Sequence, residues 1–122
     1  MAAQPRRIMV GYDGSEAAGR ALAAAADLVG YGSSLAVVTV QTRAVDRETA
    51  VAAREQLLRR HVEARYHEPA GDAAEQLVEK ARELDADLIV IGRRSRNPLR
   101  SLLGSVSARV VRRAHCDVLV VR

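Results

Sequence analysis

Short apolar runs and helix-period stretches alternate along the chain, the pattern left by strands and helices that follow one another through a parallel sheet. Ile8 to Tyr12 is the first apolar run, a strand ending in the turn Asp13-Gly14-Ser15. Glu16 to Val29 follows as a helix packed by alanines, with Gly30 to Ser33 closing it. Leu35 to Val40 is the second strand, and a polar segment leads to a helix over about Arg47 to Arg60, whose apolar face uses Val51, Leu57 and Leu58. From Val62 to Glu68 the chain alternates, with Val62, Ala64 and Tyr66 on one face and Glu63, Arg65 and His67 on the other. Such a strand has one solvated face and belongs at a sheet edge. Asp72 to Leu84 has the clearest helical period, placing Ala73, Ala74, Leu77, Val78, Ala81 and Leu84 on one stripe. Leu88 to Ile91 is apolar throughout, as a strand buried on both faces must be. Gly92 to Gly104 reads as a loop, Ser105 to Ala114 as a helix and Val118 to Val121 as the last strand.

This succession predicts an α/β fold, a doubly wound, flavodoxin-like, five-stranded parallel sheet in three α/β/α layers. The alternating third strand at one edge and the buried fourth favour the order 3-2-1-4-5. The fifth strand is then the other edge, yet Val118, Leu119, Val120 and Val121 neither alternate nor carry a charge. An exposed apolar edge invites aggregation unless it is covered. Pairing with the same strand of a second chain about a twofold axis would cover it, so a homodimer is expected.

Composition narrows the picture further. The 122 residues fit a single domain, 1–122, and 48% apolar content excludes wholesale disorder. No apolar run approaches the roughly 18 residues of a membrane span, and the start lacks a signal-peptide pattern. A soluble cytoplasmic protein without membrane partners is expected. Cys116 is the one cysteine, which excludes an internal disulfide and a Cys-based zinc site and suggests a small packing residue. The net charge of +4 comes from 18 Arg and the single Lys80, spread along the chain except for a cluster from Arg93 to Arg100. With so small an excess and no Phe or Trp to stack on bases, nucleic acid is not an expected partner. His61, His67 and His115 are scattered and read as surface or strand-end residues, and Glu79 and Glu83 lie on the solvated face of their helix. No nucleophile elbow or P-loop pattern occurs, so no catalytic residue is assigned and no enzyme is expected. A phospho-acceptor receiver is excluded too, because the third strand ends His67-Glu68-Pro69 and no Lys follows the fifth.

In a sheet of this order the crevice opens at the carboxyl ends of strands one and four, where the chain order reverses. Asp13-Gly14-Ser15 and the Gly92–Gly104 loop converge there, and thirteen residues is long for such a connection. The loop suits a polyphosphate. Gly92 allows close backbone approach, and Arg93, Arg94 and Arg96 supply guanidinium donors. Gly104-Ser105 opens a helix, whose free N–H groups and dipole favour an anion by about 0.3–1 kcal/mol. Ser105 adds a hydroxyl there or serves as the N-cap, and Asp13 doubles as an Asx-turn residue.

Three stretches carry a resemblance that spans essentially the whole chain. They are Ile8-Met9-Val10-Gly11-Tyr12-Asp13-Gly14-Ser15, the segment Ala-Asp-Leu-Ile-Val-Ile-Gly at 86–92, and Leu102-Leu103-Gly104-Ser105-Val106-Ser107 leading to Cys116-Asp117-Val118-Leu119-Val120-Val121. Together they resemble the universal stress protein family. The resemblance implies the flavodoxin-like, adenine nucleotide alpha hydrolase-like sheet, commonly a dimer through the last strand, and in some members ATP binding with a role in the stress response. It implies that Asp13, beside Tyr12, meets ribose hydroxyls or a Mg²⁺ ion. Val40 would offer backbone groups to adenine, and Gly92, Gly104, Ser105 and Val106 would hold phosphates. Nucleotide-binding members resemble Gly, two residues, Gly, nine residues, then Gly-Ser or Gly-Thr. Here Ser95 replaces the second glycine and eight residues separate it from Gly104. Those departures favour the alternative, a nucleotide-free dimeric interaction module whose arginine loop meets an acidic protein partner.

Overall fold

The computed structural model describes residues 6–93 and 105–122. Its strands are β1 (Arg7–Gly11), β2 (Ser34–Val38), β3 (Arg65–His67), β4 (Leu88–Gly92) and β5 (Asp117–Val121). The helices between them are α1 (Glu16–Leu28), α2 (Arg47–Arg59), α3 (Ala73–Glu83) and α4 (Ser105–Arg113). All pairings are parallel and the sheet order is β3-β2-β1-β4-β5, as the apolar pattern predicts. In register, Val10 lies between Val37 and Val90, and Ile91 lies beside Val120.

Local chemistry sets the helix ends. Ser15, Asp46 and Asp72 hold extended backbone and accept from the first-turn amides of α1, α2 and α3, satisfying donors that have no partner inside a helix. Helices α2 and α3 end in the left-handed residues His61 (φ 58°) and Asp85 (φ 54°). Val62 N donates to Leu57 O and Ala86 N to Ala81 O at 3.0 and 2.9 Å, so both ends close as Schellman motifs.

Two cores flank the sheet. On one face Ile8, Val10, Leu35, Val37 and Val90 pack against Ala18, Ala21, Leu22 and Ala25 of α1 and Ala53 and Leu57 of α2. On the other, Met9, Val38, Ile89 and Ile91 pack against Ala74, Leu77, Val78 and Ala81 of α3 and Val110 of α4. Strand β4 is buried on both faces, which its unbroken apolar run requires.

The structure corrects the expected face of α2. Its buried residues are Ala50, Ala53 and Leu57, whereas Val51 and Leu58 are exposed. Alanine spacing let the helix sit close to the sheet, and the larger Val51 and Leu58 misled the periodicity. Strand β3 is also shorter than its alternating run, with pairing confined to Arg65–His67. Cys116 is half-buried against the α3–α4 core, and burial, with Asp117 and Asp87 nearby, pushes its thiol pKa up, which disfavours the nucleophilic thiolate.

Candidate functional site

The carboxyl ends of β1, β2 and β4 and the amino ends of α1 and α4 meet at one rim of the sheet, because each helix returns antiparallel to the strand before it. At β1, Tyr12 N still donates to Val38 O at 3.0 Å, then the chain leaves the ladder. Asp13 Oδ1 accepts from Ser15 N at 3.0 Å, Gly14 turns at φ 85°, and Ser15 Oγ accepts from Ala18 N at 3.1 Å. Asp13 is therefore an Asx-turn residue that also sits half-exposed at the mouth. Tyr12 differs: its ring is buried in the α1–α2 core, and burial, then the Asp13 charge, push its phenol pKa up. Only its main chain belongs to the rim.

Strand β2 offers the most informative geometry. Main-chain groups along a strand face alternate neighbours. Val38 O accepts from β1, whereas Thr39 N donates to His67 O at 2.9 Å and Gln41 N to Pro69 O at 2.7 Å, both on the β3 side. The Val40 N–H and C=O thus face β1, where β1 has already ended, and no hydrogen bond to either forms among the described residues. One donor and one acceptor on adjacent main-chain positions match the edge of a nucleobase. The Val40 side chain is buried on the α3 face and plays no part in the mouth.

Gly92 closes the floor. A Cβ built there would stand 2.5 Å from Ala17 C and 2.6 Å from Ala17 O, so only glycine lets β4 end against the first turn of α1. Arg93 N donates to Val121 O at 2.6 Å, which commits that amide to the β4–β5 ladder. Arg94, Ser95 and Gly104 lie outside the described residues. Ser105 is the first described residue of α4 and is exposed. Val106 follows, also exposed. Asp72, the α3 cap, holds α4 through Arg109, with Arg109 Nη1 3.1 Å from Asp72 Oδ1 and Nη2 3.0 Å from Oδ2. That hydrogen bond, ahead of the one from Glu75 N, lowers the Asp72 carboxyl pKa.

Sequence reasoning overlooked Thr39. It is 1% exposed and its Oγ1 has no hydrogen-bond partner among the described residues. Within the run Val37-Val38-Thr39-Val40 a threonine looks like another β-former, so nothing in the pattern marked it. Among the described residues no group of three or more His, Cys, Asp or Glu could hold a metal. No helix among them is long and apolar enough to cross a membrane.

An open parallel sheet with its order reversing between β1 and β4 defines a doubly wound α/β protein. The family model for the universal stress protein family matches residues 5–122, and the chain belongs to that family. A universal stress protein of Archaeoglobus fulgidus is 29% identical with a TM-score of 0.82, covering 96% of this chain and 98% of that one. Another structure from Archaeoglobus fulgidus, in complex with dAMP, is 25% identical with a TM-score of 0.77, covering 98% of this chain and all of that one (100%). A universal stress protein of Methanocaldococcus jannaschii is 51% identical over 53 residues, which is 43% of this chain but only 31% of that protein.

Proposed function

We propose that this chain binds ATP or another adenine nucleotide in the crevice between β1 and β4 and acts as a small dimeric regulator of the stress response. The Val40 main chain, which faces the gap beyond β1 and has no hydrogen-bond partner among the described residues, carries the reading. The base would pair there, Asp13 would lie toward the ribose, and the amides at the start of α4 would face the phosphates. Should Asp13 meet the phosphates instead of the ribose, its carboxylate would suit Mg²⁺, which is usually held by one or two carboxylates together with phosphate oxygens and water. The dAMP complex of the Archaeoglobus fulgidus neighbour supports an adenine nucleotide as the ligand class. In this reading the protein works by binding, with ATP turnover slow or absent, in the cytoplasm.

The same reading includes a homodimer through β5. Val118 and Val120 pack on one face, Val121 packs on the other, and Leu119 is exposed on β5, the edge strand among the described residues. Ser95 in place of a loop glycine favours a second reading, a nucleotide-free dimer that meets an acidic protein.

Denaturing extraction of the purified protein, followed by chromatography and by calorimetric titration with ATP and Mg²⁺, separates the two. The first reading predicts extracted nucleotide or micromolar binding, weakened about tenfold or more by Asp13→Ala. A folded protein with neither leaves the second.

A further inference from the structure

The free edge of β5 carries opposite charges at its two ends. Val121 O accepts from Arg93 N on the β4 side, so the main-chain groups of Asp117, Leu119 and Val121 face β4. Those of Val118, Val120 and Arg122 face outward. Side chains alternate between the two faces of the sheet. Val118 and Val120 pack on the α3–α4 core and Val121 on the α1–α2 core, which puts Leu119 and Asp117 on the α1 face as well. Helix α1 lies over that face, and Arg20 reaches the edge, where its Nε donates to the outward carbonyl of Arg122. At about 100° per residue, Ala24 and Leu28 follow Arg20 along the same flank of α1. Leu28 and Leu119 are both partly exposed there.

On its α1 face the edge therefore runs from the Asp117 carboxylate at one end, through Leu119, to the Arg20 guanidinium at the other. Asp117 and Arg20 are exposed, and neither forms an ion pair among the described residues. Glu16, one turn before Arg20, does not pair with it either. Such an edge is complementary to itself when reversed. Two copies in parallel would set Arg20 beside Arg20 and Asp117 beside Asp117, whereas two antiparallel copies bring each carboxylate to a guanidinium.

We propose that β5 pairs antiparallel with a second copy about an axis at Leu119, and that Arg20 of each chain forms an ion pair with the partner's Asp117. The inference rests on the homodimer reading and adds to it the register and the charge contact that sets it. Main-chain chemistry supports this register. Arg20 already occupies Arg122 O, so the outward groups left free in the strand are those of Val118 and Val120. Their exchange, Val118 with the partner's Val120 and Val120 with the partner's Val118, places the twofold axis at Leu119. Asp117 then stands opposite the partner's Val121, with Cα atoms about 4.5 Å apart, beside the end that Arg20 reaches. A strand of another protein would need the same two charges at the same spacing, which symmetry supplies to a second copy.

Charge reversal read by sedimentation tests it. Arg20→Glu and Asp117→Arg, each alone, create two like-charge contacts per dimer and should raise the dimer dissociation constant about tenfold. The double variant Arg20→Glu/Asp117→Arg should return to within about threefold of the parent, because each pair is again of opposite sign. An equimolar mixture of the two single variants should dimerise as the parent does, since opposite charges then meet at both contacts. A role of Arg20 confined to its own chain, through Arg122 O, would not be rescued by a change on another chain. The register has its own readout, which needs no charge change. Cys116→Ala/Leu119→Cys should form a covalent dimer on mild oxidation, because a pair on the axis lies within disulfide range. In a parent that dimerises, single variants that leave the constant unchanged, or a mixture no tighter than its components, overturn the ion pair. Failure to crosslink overturns the register. Either result leaves the dimer standing, whereas a monomeric parent removes the dimer and this inference together.

Discussion

Gly92 and Asp13 show how one residue can serve the fold and the site together. Glycine at 92 reads from sequence as room for a phosphate, yet its Cβ would collide with the Ala17 backbone. The requirement is packing of β4 against α1, and any benefit to a ligand follows from it. Gly92→Ala should therefore destabilise the protein by about 1–3 kcal/mol without any ligand present, because backbone must shift. Urea denaturation of the unliganded variant checks this, and an unchanged midpoint would return Gly92 to a purely ligand-facing role. Asp13 was legible both as an Asx-turn residue and as a rim carboxylate, since its position between a strand and Gly14-Ser15 encodes the turn. Thr39 was not legible, because a buried hydroxyl without a partner has no signature in a β-branched run. Nor was the tautly used amide of Arg93, whose partner Val121 is far away in the chain.

At the scale of elements, the strand order followed from two patterns, the alternation of β3 and the unbroken apolar run of β4. Helix α2 was misjudged at its apolar face because alanines bury as well as larger residues when a helix lies close to a sheet. Strand β3 carries a further consequence. His67 pairs with Val38 in register, its Nε2 is buried without a partner among the described residues, and the pKa is pulled down. Burial is the main cause, with Lys80 and Arg65 adding to it and Glu83 opposing. In the folded chain His67 therefore stays neutral to lower pH than in the unfolded chain, where it titrates near about 6.5. The unfolded state then binds more protons below that value, so stability falls as pH drops from neutrality through 6.5 toward the lower folded pKa. Urea midpoints measured at neutral pH and in the mildly acidic range should show this loss, and His67→Gln should flatten it. An equal slope in the variant would place the effect elsewhere.

At the scale of the molecule, the apolar fifth strand at an edge was readable from its composition, and its place beside β4 agrees with the expectation. What no single chain displays is the partner that would cover it. Leu119 is exposed on that edge strand, and in the twofold pairing Leu119→Arg would bring two guanidinium groups close together across the axis. Sedimentation should find a dimer for the parent and a monomer, or a dissociation constant raised by about two orders of magnitude, for the variant. A monomeric parent would remove the dimer from the account. Whether the crevice fills was beyond the pattern as well, since binding depends on main-chain directions at Val40 that side-chain identity does not encode.

The most direct test of the nucleotide claim is the amide spectrum of the ¹⁵N-labelled protein as ATP and Mg²⁺ are added. Nucleotide bound in the crevice should give saturable shifts centred on the Val40 amide, the Asp13–Ser15 turn and the first turn of α4, with β3 and the far ends of the helices unmoved. No shift at Val40 at millimolar nucleotide, or shifts confined to exposed arginines elsewhere, would contradict it.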